Sequence, residues 1–92
     1  MLLDEIKDSL GITATDQDTM LGKIISRGTA KIEGLTGVVT NFEVEGLPKY
    51  LLLNYCRYDY NNAPEYFEEN FRSEILRMQL QSAVIDNAPV EV

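Results

Sequence analysis

Apolar and polar residues along this chain keep a helical beat in four places. Leu2, Leu3, Ile6 and Leu10 in LLDEIKDSL predict a short first helix, and Gly11 supplies a stop just beyond it. Leu21, Ile24, Ile25, Gly28, Ile32 and Leu35 share one face of a longer second helix that closes at Thr36-Gly37. Before it, Thr15-Asp16-Gln17-Asp18 reads as an N-cap: Thr15 is suited to accept from an early amide, and the two aspartates sit where the helix dipole favours negative charge. Gly22 and Gly28 each cost this helix about 1 kcal/mol against alanine. Gly28 lies in the apolar stripe, so close approach of another backbone is the expected compensation.

The beat then changes. In VVTNFEVEG, residues 38–46, Phe42 and Val44 alternate with Asn41, Glu43 and Glu45, a period of two too short to make a sheet alone. It predicts an extended loop with two apolar side chains on one side. Leu47-Pro48 opens a third helix, proline being suited to a first turn. Leu47, Leu51, Tyr55 and Tyr58 line one side of it, and Leu52, Leu53, Cys56 and Tyr60 occupy much of the other. A helix apolar nearly all round must be covered nearly all round. It is either the central helix of its own domain or a helix shared with a neighbour. Asn61-Asn62-Ala63-Pro64 breaks the chain, and Pro64 begins a long fourth helix. Phe67, Phe71, Ile75, Met78, Ser82 and Ile85 form its main stripe; Leu76, Leu80 and Ala83 form a second, pointing to a second partner. Residues 86–92 (DNAPVEV), with Pro89, read as a flexible tail.

The fold expected is therefore all-α: a single domain over residues 1–92, built as a small bundle of about four helices. A chain of 92 residues buries only about 60–65% of the surface its unfolded form exposes, so its own core is thin. Cys56 is alone and closes no disulfide within the chain; with no histidine and one thiol, no metal-ligand cluster is expected. Association is what remains to supplement the core. The start Met1-Leu2-Leu3-Asp4-Glu5 does not read as a signal peptide, and no segment approaches the ~20 apolar residues of a membrane span, so a soluble cytoplasmic protein is expected.

Charge narrows the function classes. Fifteen acidic residues against eight basic ones give a net charge of −7, which is not the footprint of a general nucleic-acid binder. Without histidine the usual general base and thiol activator are missing, there is no Gly-rich phosphate loop, and Cys56 among leucines and tyrosines reads as inert packing. No catalytic residue, cofactor or metal site is expected. Asp16 and Asp18 lack further ligands and read as capping. Lys23, Arg27 and Lys31, four apart, make a basic ridge away from the apolar stripe of the second helix. It is either a solvated face or a surface meeting acids of a neighbouring copy, for instance Glu65, Glu68 and Glu69. The second possibility is a heterologous contact that closes into a ring when the rotation permits.

The order of these pieces resembles the head–tail connector (adaptor) proteins of long-tailed bacteriophages and prophages. The similarity runs from the short leading helix and Leu10-Gly11-Ile12, through Asp18, Leu21, Ile24-Ile25, Ala30, Ile32 and Thr36-Gly37, to Leu47-Pro48. Its most telling part is Cys56-Arg57-Tyr58-Asp59-Tyr60-Asn61-Asn62-Ala63, followed by Phe67 and Phe71. Gly22 and Gly28 and the length of the fourth helix depart from the usual pattern. The resemblance implies a non-catalytic structural protomer of the virion, made in the host cytoplasm, that joins a dodecameric ring beneath the portal. DNA passes through such a ring without sequence-specific contacts, and a tail completion or stopper protein docks on its far side. Subunit-interface candidates are Lys23, Arg27, Lys31, Phe42, Val44, Leu52, Leu53, Cys56, Tyr60, Glu65, Glu68, Glu69, Leu76 and Leu80. The competing class is a small helical protein-interaction or regulatory module of a phage or bacterium that forms no ring. A DNA-binding role, resting on the basic ridge alone, is a third.

Overall fold

The computed structural model describes the backbone of residues 2–37 and 39–87 and the side chains of those up to Gln81. Its elements are α1 (Leu2–Leu10), α2 (Asp18–Thr36), α3 (Leu47–Tyr60), a 3-10 turn (Pro64–Tyr66), α4 (Phe67–Asn70) and α5 (Arg72–Asn87), with no strand among the described residues. The chain is an all-α bundle with one loop between the second and third helices. Gly11 and Gly37 end α1 and α2 in the left-handed conformation, at φ +73° and +72°, where a side chain is disfavoured. The Gly37 amide donates back to the Glu33 carbonyl and closes the last turn of α2. Pro48 stands in the first turn of α3, where its missing N–H costs nothing.

Other local expectations give way to tertiary contacts. The second helix begins at Asp18 behind Gln17, and no side chain caps it, so Thr15 is not the N-cap. Asp18 instead receives the Lys7 ammonium at 2.8 Å, and Gln17 Oε1 accepts from the Tyr60 hydroxyl at 2.9 Å. The corner is held from α1 and α3, not by its own sequence. The single long fourth helix is also corrected: it is divided at Phe71, whose φ/ψ of −116°/25° leaves the helical region. Phe71 stacks on Phe67 at 5.2 Å and meets Tyr50 and Tyr58 edge-on at 6.0 and 5.8 Å. Aromatic contacts of this kind each contribute about 0.5–1.5 kcal/mol beyond area burial, which offsets a local loss of helical regularity. Asp86 and Asn87 belong to α5, so the helix enters the segment expected as tail; residues 88–92 lie outside the described ones.

At the centre runs α3, which touches α1, α2, the 3-10 turn, α4 and α5. Leu51, Leu52 and Cys56 are fully buried and Tyr55 nearly so. These residues form adjacent pairs one turn apart, so the sealed arc takes in both apolar sides expected from the sequence. Around them stand Ile6 of α1, Leu21, Ile24 and Ile32 of α2, Phe67, and Ile75 and Met78 of α5. Phe67 packs edge-on to Tyr55 at 5.3 Å and Tyr58 at 6.3 Å. Gly28 is the closest point between α2 and α3: a Cβ there would stand 2.7 Å from Leu52 Cδ1 and from Tyr55 Cδ2. The close approach is by side chains, where the sequence suggested a backbone.

Between α2 and α3 the chain turns sharply enough to defeat the period-two pattern. The Glu43 amide donates to Asn41 Oδ1 at 2.9 Å and the Val44 amide to the Asn41 carbonyl at 3.3 Å. Phe42 consequently enters the core while Val44 faces outward. Lys49 is buried at the start of α3, its ammonium paired with Glu45 of the loop at 2.7 Å and with Glu5 of α1. One cation thus ties three segments together, and its two carboxylates supply the partners that a buried charge requires.

Candidate interaction surface

The candidate residues separate by burial. Leu52, Cys56 and Phe42 are sealed by the chain's own core and offer no surface to a neighbour, because α3 is the central helix and the loop folds Phe42 inward. Leu53 and Tyr60 are half-buried against that core. Burial, with the nearby Asp59 charge adding to it, pushes the Cys56 thiol up to about 12. The thiolate needed for nucleophilic chemistry is therefore suppressed.

The basic ridge finds partners at home. Arg27 Nε and Nη2 donate to the two Asp59 carboxylate oxygens at 3.0 and 3.1 Å, a fork that links α2 to α3. Hydrogen bonding to Asp59, together with its charge, raises the Arg27 pKa. Burial, and after it a hydrogen bond to Asp59, raises that of Tyr55. Lys31 Nζ lies 3.6 Å from Glu68 of the same chain, an exposed pair of small energetic weight. The expected meeting of Lys31 with Glu68 occurs inside one protomer. Glu65 and Glu69 are exposed at the start of the fourth helical region, and Lys23 is exposed on α2.

Among the described residues, exposed aliphatic side chains occur on α5 and on the loop between α2 and α3, and Met20, Tyr50 and Tyr66 are exposed elsewhere. On α5, Leu76 and Leu80 are 50% and 56% exposed, four residues apart and so stacked on one face. Arg72 lies one turn before Leu76, and exposed Arg77 borders the pair. Leu76 also edges a groove with Leu35, Glu68, Arg72, Ile75 and Gln79, across which Gln79 Nε2 donates to the Leu35 carbonyl at 2.7 Å. On the loop, Val39 and Val44 are 84% and 60% exposed beside Glu43 and Glu45. Of these exposed residues, Leu76, Leu80 and Val44 are interface candidates of the sequence pattern. Val39 and Arg77 are exposed but are not among those candidates, and neither is buried Lys49, whose signal is Glu45 four residues earlier.

Among the described residues no group of three or more His, Cys, Asp or Glu could hold a metal ion, and no helix is long and apolar enough to cross a membrane. No curated protein and no solved structure matches the chain. The family model described as phage gp6-like head-tail connector protein matches residues 1–84, which takes in every element up to most of α5. By that match the chain belongs to the phage gp6-like head–tail connector family, whose members are structural proteins of the virion.

Proposed function

We propose that the protein forms a dodecameric ring beneath the portal, joining the capsid to the tail and forming part of the channel through which DNA enters and leaves the head. The portal contacts one side of this ring and a tail completion or stopper protein the other. The protomer is made in the host cytoplasm and ends in the virion at the head–tail junction. Its contribution is mechanical: it presents surfaces and performs no reaction.

The observation that carries this reading is the pair of exposed leucines on α5 in a family of connector proteins. Half-exposed Leu76 and Leu80, on a helix that packs Ile75 and Met78 into the core, leave apolar surface that the other described residues do not cover. A net charge of −7 suits a channel wall that lets a polyanion pass without holding it. Electron microscopy of the protein mixed with its portal tests the reading. The expected result is an added ring of density on the portal with the symmetry of a closed assembly. A protein that stays monomeric or dimeric at high concentration with portal present would instead be an interaction module without a ring.

A further inference from the structure

The exposed aliphatic residues of α5 and of the loop adjoin side chains of opposite charge. On α5 the cation Arg77 adjoins Leu76, one turn from Leu80; on the loop the anion Glu43 adjoins Val44, and Val39 is exposed earlier in the same loop. All six side chains are exposed, so neither surface covers the other within one copy. In a chain with nearly twice as many acids as bases, an exposed aliphatic pair bordered by arginine is a surface that the chain's other acidic faces would attract. We infer that the 39–44 loop of one copy docks on the Leu76–Leu80 face of the next, the valines meeting the leucines and Glu43 meeting Arg77.

This contact rests on the ring reading above and gives it a defined interface. It joins two different patches, so each copy offers its loop to one neighbour and accepts the loop of another, the arrangement that generates rings rather than closed pairs. The loop is braced to serve as the inserted part. Phe42 anchors it in the core, and Glu45 fixes its far end on Lys49. Little further ordering of the loop is then needed on docking.

Cysteine pairing on the assembled protein tests the contact. Cys56 is buried with its thiol suppressed, so it stays silent in the native chain. Val44→Cys and Leu76→Cys are made singly and together, with Ser9→Cys on the exposed side of α1 as a control, and each is mildly oxidised in the presence of portal. Disulfides form only when Cα atoms come within roughly 4.4–6.8 Å. The contact predicts a cross-linked dimer when the two single variants are mixed, none from either alone or from Ser9→Cys, and a ladder of dimers, trimers and larger species from the double variant. A double variant that stops at a dimer overturns the head-to-tail arrangement. Rings on the portal with no Val44–Leu76 cross-link overturn the contact and leave the ring reading standing. Absence of any assembly with portal overturns both.

Discussion

Replacing Gly28 with alanine probes the tightest packing in the bundle. The new Cβ would lie 2.7 Å from Leu52 Cδ1, 2.7 Å from Tyr55 Cδ2 and 3.3 Å from Tyr55 Cε2. Favourable carbon–carbon contact begins near ~3.5 Å, so two neighbours must retreat by most of an ångström. Neither has room to do so. Leu52 is fully buried, and the Tyr55 ring is held edge-on against Phe67. Overpacking a filled core costs about 1–3 kcal/mol, and two simultaneous overlaps place this site toward the upper end. Better helix propensity returns about 1 kcal/mol. The expected net loss is about 1–2 kcal/mol, a fall in Tm of roughly 5–15 °C for a domain of this size. Gly22 is the control: it lies in the same helix, and beyond its chain neighbours and its own helix backbone nothing stands within 4 Å of its would-be Cβ, so Gly22→Ala gains the propensity term alone. Thermal unfolding followed by far-UV circular dichroism should put Gly22→Ala above the wild type and Gly28→Ala below it. If both alanines raise Tm together, the α2–α3 packing described here is wrong.

Three further outcomes are expected. Phe67→Ala, which empties the most central aromatic site, should lose about 3–5 kcal/mol, a large share of the ~5–14 kcal/mol available to a chain of this length; an unchanged urea midpoint would contradict the central place of Phe67. Native protein at pH 8 should react with a thiol reagent no faster than it unfolds, because Cys56 is buried and held protonated to about 12, and should react at once in denaturant; immediate native labelling would refute this. The hydrogen bonds that Lys49 donates to Glu45, and after it to Glu5, raise its pKa above 10.5, so the folded chain binds that proton more tightly than the unfolded one. The stability advantage of the wild type over Lys49→Met should thus be full below about pH 10 and shrink as pH climbs through the raised value; a constant advantage in urea midpoints from pH 8 to pH 11 would count against the buried ion cluster.

Helices and their stops were legible in the sequence because both are local properties. Leu21, Ile24, Gly28 and Ile32 fall on one face by spacing alone, and Gly11, Gly37 and Pro48 act through their own backbone preferences. What spacing cannot reveal is which partner covers a face. Leu52 and Cys56 looked available to a neighbour, yet α3 lies centrally and its own domain takes both sides. The break at Phe71 was hidden because its cause lies in Tyr50 and Tyr58, at least 13 residues away in the chain. The same holds for Thr15, displaced from its capping role by contacts from Lys7 and Tyr60, and for the ridge cations Arg27 and Lys31, whose acids Asp59 and Glu68 are distant in sequence. Leu76 and Leu80 were legible for the opposite reason: they form a second stripe on a helix that already sends Ile75 and Met78 of its first stripe into the core.

In the proposed ring, exposed leucine on α5 joins this protein to its neighbours. Sedimentation velocity of Leu76→Glu/Leu80→Glu with portal, beside the wild type, tests it most directly, since both positions are half-exposed and the change leaves the core intact. Wild type is expected to move with the portal, and the double variant to be left behind as a free, helical monomer. A double variant that loads onto portal as fully as the wild type would contradict it.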